Sequence, residues 1–147
     1  MVLLRRLGDG FSVTVFCRPE TRADIADQTE DAARQKYGDS IKVATWSFGE
    51  NDRAVAERTT NGQIRVITKS RGRILGASIV GPQAGELVAL WALAISNGLK
   101  IGTMTSMIMP YPTLGEVSKR AAGAWYTPSL FSKKTKRLVN FIQKLPF

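Results

Sequence analysis

The chain of 147 residues contains no histidine and a single cysteine, Cys17. Without histidine it cannot supply a Ser-His-Asp triad, a Cys-His pair or a histidine-ligated metal site of its own. One cysteine also excludes an internal disulfide, a redox CxxC pair and a cysteine zinc cluster within the chain. We therefore predict no metal site here, and we interpret Cys17 as a buried strand residue.

Both common glycine loops that cradle phosphate groups are absent. The sequence has neither G-x-x-x-x-G-K nor a complete G-x-G-x-x-G, because Gly8 and Gly10 lack the third glycine. Such loops supply the backbone N–H groups that bind a pyrophosphate at a helix N-terminus. We therefore expect this chain alone to bind no dinucleotide cofactor and to show no catalysis. If it belongs to an enzyme, most of that enzyme lies in other sequence.

Long apolar segments are absent as well. The longest run, residues 87–95, has nine residues, whereas a membrane-spanning helix needs about 20. The first residues, M-V-L-L-R-R, lack the apolar core and the cleavage site of a signal peptide. The expected location is the cytoplasm.

Positive charge is concentrated at the end of the chain. The net charge is +9, and residues 117–147 contain seven basic residues and no acidic one. A nucleic-acid-binding domain spreads its basic face over several elements, so nucleic acid is disfavoured as a partner. The pattern predicts a basic amphipathic helix over residues 129–147. Its first interpretation is a solvated surface helix; the alternative is binding to an anionic partner or to the inner face of a membrane.

The apolar pattern predicts an α+β domain with a mostly antiparallel sheet packed with helices, because one strand and a helix precede three strands and then several helices. Alternation and β-branched residues mark the strands, and a three-residue connection between the last two suits a hairpin. The expected strands are residues 12–16, 41–48, 63–69 and 73–80.

Helices are predicted by apolar spacing and by their end signals. Asp27 or Thr29 is expected to cap the first, and Gly38 to end it. The sequence T-x-x-E at Thr113–Glu116 has the form of a capping box, while residues 49–53 are predicted to be a polar turn. The later helices are expected at residues 86–96, 101–108, 116 to about 125, and from Thr127 onward.

The helix at residues 86–96 is apolar on both flanks. Leu87, Leu90, Trp91 and Ala94 share one side at helical spacing, and the residues between them are also apolar. Core on one side and a partner surface on the other would cover such a helix. Tryptophan is enriched in interfaces, so we predict these four residues as a dimer interface, with plain core as the alternative for Trp91.

Several short motifs then occur in a fixed order. Together they closely resemble the C-terminal dimerisation domain of the pyridine nucleotide-disulfide oxidoreductases, the family of dihydrolipoamide dehydrogenase, glutathione reductase and mercuric reductase. The resemblance is dense over residues 45–125 and looser over residues 11–44. The motifs are E-N-D-R-A at 50–54, G-R-I-L-G-A at 72–77, I-V-G-P at 79–82, A-G-E-L at 84–87, A-L-A-I at 92–95, N-G-L at 97–99 and P-Y-P-T at 110–113.

The resemblance implies a homodimer of much longer chains, with FAD and NAD(P) domains upstream of this one. In such enzymes the domain places a His-Glu pair beside the flavin and redox-active disulfide of the partner subunit. By position, Tyr111 stands where the histidine is expected, and Glu116 stands where the glutamate is expected. The resemblance therefore implies Tyr111 and Glu116 as catalytic residues.

Tyrosine in place of histidine changes the chemistry that is expected. With a pKa of about 10, tyrosine is a poor base at neutral pH, although it can donate a hydrogen bond to a thiolate or a ligand. Mercuric reductases are similar in having tyrosine here, but they end in paired cysteines, and this chain ends in L-P-F. For Glu116, spacing alone leaves both helix capping and chemistry open.

We divide the chain into an unmatched N-terminal extension at residues 1–10, a dimerisation domain at 11–128 and the basic helix at 129–147. The extension suggests an expressed fragment or a truncated reading frame. Three functions follow: the dimerisation domain of an FAD-dependent oxidoreductase, a binding module that uses the basic helix, and a stand-alone structural dimer.

Overall fold

An antiparallel sheet of five strands organises the chain. A computed structural model describes residues 2–7, 10–16 and 30–143. The strands are β1 (Val2–Leu7), β2 (Gly10–Phe16), β3 (Ile41–Ser47), β4 (Gln63–Lys69) and β5 (Ile74–Val80). Their order across the sheet is β1-β2-β5-β4-β3, and every neighbouring pair is antiparallel. The predicted α+β class and the β4–β5 hairpin are confirmed.

Helices cover both faces of this sheet. In the described residues they are α1 (Glu30–Tyr37), α2 (Asp52–Ala56), α3 (Ala84–Ser96), α4 (Ile101–Ser106), α5 (Glu116–Ala124), α6 (Thr127–Leu130) and α7 (Lys133–Ile142). Helix α3 packs on β2 and β5, α5 packs on β3 and β4, and α1 lies against β3 and β4. None of these described helices is long and apolar enough to cross a membrane.

Strand alternation divides the buried residues between two cores. Ile64 and Val66 of β4 are fully buried in the larger core, with α3, α4 and α5, whereas Ile67 points into the smaller one. The smaller core includes Ala33 of α1 and Leu75 of β5. A strand buried on both faces reads as a nearly continuous apolar run, as β5 does, with the sequence I-L-G-A-S-I-V.

A glycine at the end of β5 lets two segments meet closely. Gly81 has a φ of +148°, and a Cβ there would lie 2.7 Å from the ring of Phe48. The φ favours glycine over other residues, and the missing side chain makes room for the fully buried Phe48. Phe48 directly precedes the turn that leads into α2, so this contact helps to place the start of α2.

Two predicted boundaries are wrong, and one strand was not predicted. Residues 49–53 were expected to be a polar turn, but Asn51 caps a helix that starts at Asp52. The strand that was missed is β1, which pairs with β2 through Leu7 opposite Gly10; its sequence V-L-L-R-R-L lacks the alternation by which strands are detected. The single helix expected from Thr127 is two helices, because the Ser132 side chain accepts a hydrogen bond from the Thr135 N–H and starts α7.

Several expectations lie outside the described residues. They concern the burial of Cys17, the cap at Asp27 or Thr29, and the last residues of the basic helix, from Lys144 onward.

Candidate functional site

A buried asparagine joins the start of α2 to the loop that precedes α5. Asn51 is 3% exposed. Its Oδ1 accepts a hydrogen bond from the Ala54 N–H at 2.9 Å, and its Nδ2 donates to the carbonyl oxygen of Thr113 at 3.1 Å. An amide side chain is suited to this because it carries an acceptor and a donor together. The contact ties together two segments that are 62 positions apart in the sequence.

Asp52, the first residue of α2, binds the tyrosine of that loop. Tyr111 is 67% exposed, and its hydroxyl donates a hydrogen bond to Asp52 Oδ2 at 2.8 Å. The loop is also braced internally, since Thr113 Oγ1 donates to the carbonyl oxygen of Pro110 at 2.7 Å. Neighbouring Arg53 makes a local ion pair with Glu57 at 2.6 Å. Asn51 and Asp52, at the start of α2, thus position the Tyr111 loop, a role that sequence reasoning missed.

The neighbouring carboxylates keep the Tyr111 phenol protonated. The hydrogen bond and negative charge of Asp52 raise the pKa of Tyr111 above its ordinary value of 10.0, and Glu116 adds to the effect, while Arg120 opposes it. A phenol that loses its proton only at high pH is neutral at pH 7. Tyr111 is therefore a hydrogen-bond donor, and it cannot serve as a general base near neutrality.

The expected capping box does not form. Helix α5 begins at Glu116 with no side-chain cap, and the Thr113 hydroxyl donates its proton to the Pro110 carbonyl oxygen. Among the described residues, no hydrogen bond or ion pair involves the Glu116 carboxylate. Its position in the first turn of α5 is favourable for a negative charge. The capping interpretation of Glu116 is therefore wrong.

Two clefts border the loop at residues 110–115. One, of about 510 Å³, is lined by Glu116, Lys119 and Arg120 of α5 together with Trp46 and Met109. The other, of about 330 Å³, lies on the side of α2 and α3 and includes Arg53, Glu57 and Leu87. The larger cleft is lined by one carboxylate and two cations of a single helix. It therefore suits a ligand that presents both a proton donor and negative charge.

The four predicted interface residues of α3 fall into two groups. Trp91 is 0% exposed and its Nε1 donates to Ser118 Oγ at 3.0 Å, and Ala94 is 1% exposed. Both side chains therefore belong to the core of their own chain, which was the alternative for Trp91. Leu87 and Leu90 are half-buried at the edge of this core.

A different leucine lies on the outer side of α3. Leu93 is 61% exposed and follows Leu90 by three positions and Glu86 by seven, so the three share a face of the helix. Sequence reasoning did not distinguish this face, because residues 87–95 form an apolar run with no polar residue within it.

No metal centre competes with this site. Within residues 30–143 and the two described strands before them, no three acidic or cysteine side chains are grouped as metal ligands.

Comparison with known proteins places these features in a family. Residues 12–122 match the family described as the pyridine nucleotide-disulphide oxidoreductase, dimerisation domain. The chain belongs to this family. The residues that match the family begin within β2 and end in α5. Asn51, Tyr111 and Glu116 therefore all lie inside the dimerisation domain.

Relatives of the dimerisation domain are much longer proteins. It is 33% identical over 114 residues to the dihydrolipoyl dehydrogenase of Bacillus subtilis, covering 77% of this chain and 24% of that protein. It is 37% identical over 109 residues to the dihydrolipoyl dehydrogenase of Geobacillus stearothermophilus, covering 74% and 23%. The chain thus spans about a quarter of the length of these relatives.

Solved structures share the same fold. LpdA of Mycobacterium tuberculosis superposes with a TM-score of 0.67 at 17% identity, covering 84% of this chain and 24% of that one. The HOCl-induced flavoprotein disulfide reductase RclA of Escherichia coli gives 0.65 at 22% identity, covering 77% and 23%. The fold of this chain is therefore shared with a part of each of these two proteins.

Replacing Asp52 by asparagine should lower the pKa of Tyr111. The change removes the negative charge that disfavours the phenolate, and the amide oxygen can still accept the hydrogen bond. Alkaline titration of phenolate absorbance should show one of the three tyrosines losing its proton at lower pH than in the parent chain. Tyr111→Phe should remove that component from the titration curve.

Glu57→Gln is the matched control, because Glu57 also accompanies α2 but pairs with Arg53. Its titration curve should equal that of the parent. The folded pKa of Tyr111 is raised, so the stability conferred by the Asp52 bond is present below the unfolded pKa of about 10 and is lost as pH rises through the folded value. Superimposable curves for Asp52→Asn and the parent would contradict the assignment.

Proposed function

We propose that this chain is the dimerisation domain of a homodimeric, FAD- and NAD(P)-dependent disulfide oxidoreductase. The FAD and NAD(P) domains would lie in upstream sequence, and the chain alone would be inactive. The family membership and the oxidoreductase names of the relatives support this assignment. The observation that carries the active-site role is the loop before α5, which Asn51 and Asp52 hold and after which the Glu116 carboxylate has no bonded partner among the described residues.

The loop would act in the active site of the partner subunit. Tyr111 is exposed although its hydroxyl is bonded to Asp52, and the Glu116 carboxylate has no bonded partner among the described residues. A second subunit that meets this loop would cover the tyrosine ring and provide a partner for the carboxylate. The larger cleft, with Glu116, Lys119 and Arg120, would then border the region where a disulfide substrate is bound.

The two residues would have different tasks. Tyr111 stays protonated at neutral pH with its one proton on the bond to Asp52. Its oxygen would accept a hydrogen bond and so orient a bound ligand, and donation to a thiolate would require release of the Asp52 bond. Glu116 would exchange the thiol proton that a histidine exchanges elsewhere in the family. FAD would supply the electron transfer, held by upstream domains, since this sequence has no glycine loop for its pyrophosphate.

We further propose that the enzyme is cytoplasmic.

An outer face of α3 with Leu93 at its centre would form part of the dimer contact, because an exposed leucine flanked by half-buried leucines is typical of an interface. A stand-alone structural dimer is the competing function, and the gene itself distinguishes the two.

The proposal predicts that the gene encodes G-x-G-x-x-G and C-x-x-x-x-C motifs in frame, upstream of Met1. In the longer enzyme, Glu116→Gln should lower turnover of a disulfide such as lipoamide or glutathione disulfide by roughly 10²-fold, a loss typical of a positioned proton-transfer group. Steady-state oxidation of NADH and NADPH measures this. The melting temperature should fall only slightly, because Glu116 has no bonded partner among the described residues and the variant loses only the favourable charge at the start of α5.

Two controls separate the disulfide step from electron transfer by the flavin and from general effects of a substitution. Reduction of a dye that accepts electrons directly from the flavin should be unaffected by Glu116→Gln, because no thiol proton is involved. Glu57→Gln should leave both rates unchanged. Equal disulfide turnover in Glu116→Gln and the parent would refute the role of Glu116, and a stop codon in frame upstream would favour the stand-alone dimer.

Assembly can be tested on the chain itself. Leu93→Asp should weaken the dimer by about 3 kcal/mol or more, over 10²-fold in Kd, because it buries an unpaired charge in the interface. Sedimentation or light scattering across a dilution series measures the change. The fold should persist, since Leu93 is exposed in its own chain.

Val139→Asp provides the control for this variant. Val139 of α7 is also an exposed apolar residue, but it lies on another element, so the parent dimer should be retained. Equal dimer strength for Leu93→Asp and the parent would remove α3 from the interface.

A further inference from the structure

The exposed large apolar side chains are concentrated near the end of the described chain. Nine are exposed among the described residues, and five of these belong to residues 130–142. Neither of the two hydrophobic cores of the described chain includes a residue of α7. Soluble proteins seldom leave a contiguous apolar patch of this kind uncovered. The five are Leu130 at 59%, Phe131 at 70%, Val139 at 46%, Phe141 at 63% and Ile142 at 44% exposed.

Helix α7 separates apolar from charged residues. Thr135, Val139 and Ile142 follow at spacings of four and three, so they occupy one face. Lys133, Lys136, Arg137 and Asn140 occupy the opposite face by the same spacing, and all four are exposed. The helix therefore has the amphipathic pattern of segments that lie flat in a membrane interface.

The helix is held in place before any ligand arrives. Ser132 Oγ accepts a hydrogen bond from the Thr135 N–H at 3.2 Å, and Thr135 Oγ1 donates to the carbonyl oxygen of Ser129 at 2.8 Å. These bonds fix the start of α7 relative to α6. Binding would therefore require little additional ordering of the segment.

The positive charge of α7 indicates what kind of partner covers its apolar face. Residues 117–147 carry seven basic and no acidic side chains, and no ion pair of the described residues involves Lys133, Lys136 or Arg137. Anionic lipid headgroups attract such clusters while the apolar face enters the acyl boundary. Nucleic acid would satisfy the cations but would leave the apolar face uncovered.

Contact between α7 and its own copy is disfavoured. Where a two-fold axis passes through α7, the helix meets its own copy and brings like charges near each other, which disfavours association. We propose that α6 and α7 bind the surface of a membrane that contains anionic lipid, with Val139 and Ile142 in the interface and the cations of α7 at the headgroups. This inference goes beyond the proposed oxidoreductase function and does not depend on it.

Vesicle binding of the chain tests the proposal. The chain should co-sediment with vesicles of phosphatidylcholine and phosphatidylglycerol in equal parts at least about tenfold more strongly than with phosphatidylcholine alone, and salt should weaken binding. Val139→Asp should abolish most of this binding. Asn140→Asp is the matched control: it adds the same charge at the next position, on the opposite face, and should retain most of the binding.

The outcomes are distinct. No binding to anionic vesicles, or equal losses in Val139→Asp and Asn140→Asp, would overturn the proposal, because the second result means attraction by charge alone. A change of oligomeric size in Val139→Asp would show instead that a second copy covers the face. Circular dichroism checks folding; if Val139→Asp is unfolded, Ile142→Ser with Gln143→Ser as its control repeats the test at the other end of α7.

Discussion

One buried amide connects the two halves of the candidate site. Asn51 closes the first turn of α2 and also holds the Thr113 carbonyl, so a single side chain fixes both segments. A buried polar group that lost one of these bonds would cost about 1–3 kcal/mol, which makes the arrangement strongly favoured once the core has formed. The position of Tyr111 beside Asp52, and of Glu116 at the start of α5, depends on this connection.

The same connection explains how the site departs from the family pattern that the sequence resembles. A histidine in place of Tyr111 would titrate near neutrality and would respond to a nearby carboxylate by becoming charged. Asp52 likewise makes the phenol keep its proton to a higher pH, but the protonated phenol is neutral whereas a protonated imidazole is a cation. In the proposed function, proton exchange would therefore fall to Glu116.

Sequence patterns predicted the elements whose periodicity is unambiguous. The hairpin of β4 and β5 and the helix α3 follow from apolar runs with clear end signals, and the order of short motifs indicated the family that the comparisons show. The connection through Asn51 was not predictable, because it joins residues 62 positions apart and depends on packing around Phe48. T-x-x-E spacing also suggested a cap that the Thr113 hydroxyl, engaged with Pro110, does not make.

Burial was the least predictable property. Trp91 and Leu93 both lie in an unbroken apolar run of α3, yet one is 0% and the other 61% exposed. The difference in exposure depends on which side of α3 faces the sheet and α5. A similar limit applies to α7, where the sequence indicated an amphipathic helix and the structure determined that its apolar face is uncovered.

Hydrogen exchange in Asn51→Asp tests the central role of this amide most directly. Aspartate keeps the oxygen that caps α2 but removes the N–H that holds Thr113. We predict faster exchange of the backbone amides at residues 113–118, with those of α2 unchanged. Unchanged exchange at residues 113–118 would contradict the account, because the loop before α5 would then be held without Asn51.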